Sequence, residues 1–343
     1  MTGGFLDREL AVDDYWRAII LYGRNVASYK FALAKSLLEL RPESGQLVKL
    51  EDLAPVFAKN TCNHLEIADK QSTSASSEFL DACRQFNRGA LNEEVLINKT
   101  LKLGFNNVVD AFHIVNREAV EKRFFVDARK GEQALLITDG FSELCSGLQA
   151  TNLEHEVESR WRLVETAWEM NVSRSLLRMD HDYESEALFA VDNKLRRKSV
   201  TSSRSALNGY QYGQCFYCFG EISISNHEPE RMPDVDHFFP DMLKRFSLDI
   251  NIDGICNLVL ACKDCNRGID GKFEKLPSLK LLARLHMRNE YLISSHHPLR
   301  ETLISQTGKS ETDRRQYLNN AYGLAKSYLI HTFEPEERGI SRF

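Results

Sequence analysis

His237 directly follows Asp236 in the run DHFFP, and Asn257 opens the run NLVLACKDCN, which ends on Asn266. These residue types can carry hydrolysis. An imidazole titrates near pH 6.5 when unperturbed, so a modest environment leaves His237 neutral and able to take a proton from water. A carboxylate such as Asp236 is a hard oxygen ligand for Mg²⁺, an ion that keeps several waters and binds through few protein groups plus substrate phosphates. The Asn266 amide offers a second, uncharged oxygen. Adjacent strand residues point to opposite faces, so Asp236 and His237 can share a site only where a strand bends or ends. Phe238-Phe239-Pro240 supplies such a place, because proline cannot continue a central ladder.

Two C-x-x-C pairs flank this set, Cys215 with Cys218 and Cys262 with Cys265. Two such pairs a few tens of residues apart signal zinc. Four thiolates complete a tetrahedral site and leave no position for water, so this zinc clamps two distant segments and is not the catalyst. Cys256 has four better-spaced competitors and reads as a buried filler in a strand. Cys62, Cys83 and Cys145 are scattered and read as small buried hydrophobes. Cys62 and His64 in TCNH lack two further ligands nearby. His227 lacks both a neighbouring carboxylate and a following proline, and His296-His297 beside Pro298 reads as a loop. His286, with Arg284 and Arg288 on one helix, forms a weak candidate for a phosphate-facing strip.

The order C-x-x-C, D-H-x-x-P, N-L-x-x-x-C-x-x-C-N resembles the zinc-containing branch of the HNH endonucleases, the ββα-metal nucleases, over residues 214–277. The resemblance implies a β-hairpin followed by a helix that straddles a metal. It implies that His237 is the general base, that Asp236 and Asn266 hold a catalytic Mg²⁺ or Mn²⁺, and that Asn257 braces the hairpin loop and so keeps His237 in place. Phosphate contacts near the helix would come from Lys263, Arg267, Lys272 and Lys275. The expected activity is phosphodiester hydrolysis, with double-stranded DNA as the partner and bacterial restriction or phage defence as the setting. Two alternatives stay open: an RNA-directed nuclease, and a non-catalytic zinc module that binds nucleic acid or protein.

These residues need elements to hold them. Trp16, Ile19, Ile20, Ala27, Phe31, Ala34 and Leu38 fall on one helical stripe, read as one helix that Gly23 kinks and Arg41-Pro42 ends. Residues 51–70 and 77–87 read as helices, and 124–127 with 134–138 as a hairpin joined through Arg129-Lys130-Gly131. Leu153, Val157, Trp161, Val164, Trp168 and Val172 mark a long amphipathic helix. Then 192–205, with KLRRKSVTSSRS, turns basic and poor in apolar residues and reads as a linker, with Lys194, Arg196, Arg197 and Lys198 open to lying along a phosphate backbone. Beyond Pro277 two helices return, one with Leu281, Leu282, Leu285 and Tyr291, the other with Tyr317, Ala321, Leu324 and Tyr328. The expected fold class is mainly α: a helical domain over 1–200, open to a protein partner, a small α+β zinc-stapled HNH domain over 205–290, and helices over 291–343.

The chain has 343 residues, enough for two or three domains, and a formal charge of −5. So mild a charge argues against a broad basic face for nucleic acid or membrane, though not against a local patch. No apolar run is long enough to span a bilayer, and MTGGFLDREL lacks a secretory pattern. These features predict a cytoplasmic protein, where paired cysteines serve metals rather than disulfides. No phosphate-cradling G-x-x-x-x-G-K-[ST] run occurs.

Overall fold

Apolar residues at helical spacing build the first unit. Trp16, Ile19, Ile20, Phe31, Ala34 and Leu37 are all buried, as a helix with one apolar stripe requires. The computed structural model describes residues 11–22, 27–74, 76–115, 117–147, 149–169, 179–182, 187–191, 197–225, 228–246, 248–294, 299–341 and 343. The described residues are mainly helical. They fall into two compact units, 1–161 and 162–343. Among them no helix is long and apolar enough to cross a membrane.

The stripe expected as one kinked helix is two helices, Val12–Tyr22 and Tyr29–Leu40; Gly23 lies outside the described residues. The second cannot extend backward through residue 27. Ala27 bridges Ser72, and the Ser28 N–H donates to the Gln71 carbonyl at 3.0 Å, so this backbone is committed elsewhere. Leu50–Ile67 and Glu78–Asn87 follow as helices; Ser77 caps the latter, accepting from the Leu80 N–H. The expected hairpin is present as Phe125–Ala128 paired antiparallel with Ala134–Ile137. Leu47–Lys49 adds a third strand, which its three residues were too few to announce. Buried aromatics fill the core, with Trp16 edge-on to Phe124 at 5.1 Å. His64 stacks on Trp161 at 3.5 Å and turns its Nε2 to Glu158 Oε2 at 3.1 Å. Cys62 Sγ lies 3.9 Å from the Cys83 carbonyl oxygen. His64 and Cys62 therefore serve the core of this unit. The helix Ala150–Glu169 contains the division at residue 161.

In the second unit, Met179–Asp182, Ala187–Val191 and Arg197–Ser202 form an antiparallel sheet with the middle segment central. Part of the basic stretch expected as a linker is thus a strand; Lys194 and Arg196 lie outside the described residues. Val200-Thr201, both β-branched, favour an extended backbone. The helix Ser203–Gln211 leads to the first thiol pair, and two short strands, Asp234–His237 and Leu258–Ala261, pair antiparallel beyond it. A five-residue helix, Lys263–Arg267, follows at once. Three helices come next, Leu279–Ser294, Arg300–Thr307 and Glu311–Lys326; the sequence shows the outer two. The chain then turns back: Thr332–Phe333 pairs parallel with Leu276–Pro277.

Candidate metal and catalytic site

The two thiol pairs converge. Sγ atoms of Cys215, Cys218, Cys262 and Cys265 all lie within 4.8 Å of one another, a group able to hold a metal ion. Cys218 and Cys262 sulfurs are 3.8 Å apart. A tetrahedron of Zn–S bonds near 2.3 Å has edges of about 3.8 Å, so the separation fits a structural zinc. Each turn aims backbone N–H groups at sulfur: Gly220 to Cys218 at 3.4 Å, Cys262 to Cys215 at 3.3 Å and Cys265 to Cys262 at 3.5 Å. Such bonds stabilise thiolates and orient them. Phe219, at φ +59°, closes the first turn.

Neighbouring elements lock the cluster. The Phe216 N–H donates to the Leu260 carbonyl at 2.9 Å, and the Gln211 amide bridges the Leu260 N–H and carbonyl, each at 2.8 Å. Arg284 donates to the Phe216 and Tyr217 carbonyls at 2.5 and 2.9 Å and lies 3.9 Å over the Phe219 ring. The final segment folds over the thiols: the Arg338 N–H donates to the Cys218 carbonyl at 2.7 Å, and Phe343 packs on Phe216 and Phe219. A Cβ at Gly339 would run into the Phe219 carbonyl, so only glycine permits this approach. Sequence reasoning missed this seal, because no residue type in 333–343 advertises it. Arg288 likewise donates to the Ile255 and Cys256 carbonyls at 3.3 and 3.2 Å. Arg284 and Arg288 are buried, so the helix strip with His286 does not face a phosphate backbone. Cys256, expected in a strand, is buried in the single turn Ile255–Asn257 just before one.

His237 is the last residue of its strand and pairs across it with Leu258; Asp236 pairs with Val259. Their partners differ. The Tyr217 hydroxyl donates to Asp236 Oδ2 at 2.5 Å, and Lys272 Nζ lies 3.2 Å from Asp236 Oδ1. His237 Nε2 lies 3.2 Å from Asp253 Oδ1. The two adjacent side chains therefore meet different groups, as strand alternation requires. Burial raises the Asp236 carboxyl above its ordinary pKa, against the pull of Lys272 and the Tyr217 hydroxyl. Burial lowers the His237 pKa below 6.5, against the carboxylates of Asp236, Asp253 and Asp241. The imidazole is thereby kept neutral near pH 7.

Asn257 Oδ1 accepts from the Phe239 N–H at 2.8 Å, and its Nδ2 donates to the Phe239 and Ile252 carbonyls at 3.1 and 2.8 Å. One buried amide thus pins the loop that follows His237. The bend expected at Phe238-Phe239-Pro240 is where this brace acts. Asn266 Nδ2 donates to Asp234 Oδ2 at 3.0 Å, and Arg267 Nε is 3.1 Å from the same oxygen. Asp234 and Asp236, two apart, share a strand face. Lys272 is 1 % exposed and committed to Asp236, so it is no surface contact for phosphate. Lys263 donates to the Pro229 carbonyl at 2.9 Å, and Lys275 is half-buried.

A second group emerges that the sequence hides. One ligand atom each from His237, Asp241 and Asp253 lie within 4.8 Å of one another. Lys244 Nζ bonds Asp241 and lies 2.7 Å from Asp253 Oδ1. Both carboxylates are exposed and look like ordinary surface charges until folding brings them to the imidazole. Compared with known proteins, the chain matches no family model, no curated protein and no solved structure.

Proposed function

We propose that residues 205–290 are a metal-dependent endonuclease of the HNH kind, hydrolysing phosphodiester bonds in DNA in a restriction or defence setting. One observation carries the reading. His237 closes a short strand with its ring held neutral by burial, its following loop is braced by Asn257, and a thiol cluster clamps the partner strand and helix. In this role His237 takes a proton from the attacking water, with Asp253 orienting the ring as a carboxylate does in other His-based sites. Asp236 and Asn266 offer hard oxygens to Mg²⁺ or Mn²⁺. A divalent ion bound there would supply charge stabilisation at the leaving oxygen.

A specific contact favours the rival. Lys272 already sets an ammonium against Asp236, so the carboxylate is balanced without a metal, as in a non-catalytic zinc module that binds nucleic acid or protein. Digestion separates the two. With zinc retained, His237→Ala should lower Mg²⁺-dependent cleavage of plasmid by roughly 10²–10⁴-fold and leave the thermal midpoint near wild type. Undiminished cleavage removes the base assignment. A wild-type chain that cuts neither plasmid, single-stranded DNA nor RNA with Mg²⁺ or Mn²⁺ leaves the zinc module standing.

A further inference from the structure

Phe273 sits oddly for a residue that only fills space. Its φ is +44°, left-handed backbone that a side-chain-bearing residue adopts at a cost, yet the residue is 51 % exposed. The loop is not free to relax. The Lys272 N–H donates to the Cys265 carbonyl at 2.7 Å, the Phe273 N–H to the Asn266 carbonyl at 3.0 Å, and the Lys275 N–H to the Lys272 carbonyl at 2.7 Å. Entry to it is equally tight, since a Cβ at Gly268 would meet the Asp264 carbonyl oxygen at 2.6 Å. A strained, tied backbone that holds an aromatic ring in water adds little to the core. Such strain points to a role outside folding.

The ring faces a cleft of about 520 Å³ lined by Phe273, Tyr328, Met242, Lys275, His331 and Glu274 among others. Tyr328 is 46 % exposed and stacks on the exposed Phe246, ring centroids 4.3 Å apart and planes at 28°. Half-exposed Phe273 and Tyr328 therefore line the cleft together with Lys275 and His331, and exposed Arg245 lies next to Phe246 in the chain. Glu274 is the opposing charge. The cleft also adjoins the candidate site by two chain links. Lys272, bonded to Asp236, precedes Phe273, and Asp241, grouped with His237, precedes Met242.

Resting on the nuclease reading, we infer that this cleft takes unpaired nucleotides, stacking bases on Phe273 and Tyr328, so that the substrate is a single strand or a locally unpaired segment rather than continuous duplex. Every base has a π face, so stacking is tolerant of sequence, whereas a duplex keeps those faces covered. Lys275 and Arg245 answer the backbone phosphates.

Fluorescence anisotropy on the full chain tests this, without added divalent ion and at fixed salt. The probes are one mixed-sequence dye-labelled oligonucleotide as single-stranded DNA, as single-stranded RNA and as duplex DNA. A single-stranded probe should bind more tightly than the duplex, and whichever of DNA or RNA binds better names the sugar. Phe273→Ala and Tyr328→Ala should each weaken single-strand binding about tenfold, and Phe273→Leu, which keeps the bulk but lacks the π face, should weaken it as well. Thermal unfolding of each variant checks the fold. Wild-type affinity in Phe273→Ala and Tyr328→Ala, or equal affinity for duplex, overturns the inference. Stacking-dependent binding without any cleavage would leave this inference standing and remove the nuclease reading. Cleavage with no effect of Phe273→Ala on binding would do the reverse.

Discussion

Two sets of residues able to ligate metal share the stretch 215–266, and the fold treats them differently. The four cysteine sulfurs converge within 4.8 Å of one another, and backbone N–H groups already point at them. Around them, Arg284 donates to the Phe216 carbonyl beneath the turn and Arg338 bonds Asp264 at 2.6 Å. The hard donors are each answered from within: Lys272 at Asp236, Arg267 at Asp234, and Lys244 between Asp241 and Asp253. Asp236 and Asp234 are thus each matched by one cation of the protein, whereas Lys244 sets one positive charge against the two carboxylates of Asp241 and Asp253. A divalent cation at Asp236 would have to move an ammonium or settle beside it.

The largest effect should come from breaking the soft site. Structural zinc contributes apparent binding free energies of about 10–16 kcal/mol in zinc-finger peptides, and that energy is folding energy. Cys215→Ser should therefore lose zinc and cost the second unit about 4–5 kcal/mol or more. Metal analysis and thermal unfolding, with and without chelator, read both. A Cys215→Ser chain with full zinc and an unchanged midpoint would erase the contrast between the two sites.

Next in size is the pair at the hard site. Lys272→Met removes one partner of a buried ion pair and should cost about 3–5 kcal/mol, because Asp236 is left uncompensated. Lys272→Met with Asp236→Asn should recover most of that loss, which denaturant titration of the double-mutant cycle measures. The single variant also sharpens the comparison. If Asp236 binds Mg²⁺, millimolar Mg²⁺ should raise the midpoint of Lys272→Met more than that of wild type. Asn257→Ala comes third. It leaves the Phe239 N–H without its buried acceptor, at about 1–3 kcal/mol for a buried group unpaired. It should also slow any cleavage that depends on His237, since the loop after that residue loses its brace.

The soft site was legible because its geometry is local. A C-x-x-C turn brings two sulfurs together whatever surrounds it, so spacing alone picked out the four cysteines that converge. The mainly α class was equally legible, from stripes such as Leu153, Val157 and Trp161. The hard site was legible only in its residue types. Nothing near Asp236 announces that Lys272, thirty-six positions on, will pair with it, and Asp253 looks like any solvated carboxylate until the turn before Asn257 carries it to His237. The bend expected at Phe238-Phe239-Pro240 would bring Asp236 and His237 into one site, but the strand runs through His237 and the two side chains meet different partners. The Arg338–Phe343 seal was invisible because backbone and small contacts make it, and composition does not record those.

The smallest expected effect concerns protons, and it tests whether His237 is as shielded as its contacts imply. Burial depresses its pKa in the folded state, while the unfolded chain keeps the ordinary value near 6.5. Below pH 6.5 the unfolded imidazole takes up a proton that the folded one refuses. The His237 contribution to stability is therefore complete above pH 6.5 and is lost as pH falls from there toward the folded value. Asp236 works the other way: its raised folded pKa means that acid favours the folded state as pH drops toward the ordinary carboxylate range. Wild type should accordingly lose more stability than His237→Asn between pH 6.5 and 5.5, by thermal midpoint in matched buffers. If the chain cleaves nucleic acid, the acid limb of its pH–rate profile should lie below 6.5, because a shielded base stays unprotonated there. A limb at or above 6.5, together with equal acid sensitivity of the two proteins, would mean that His237 is open to water and that the carboxylates around it, not burial, control its charge.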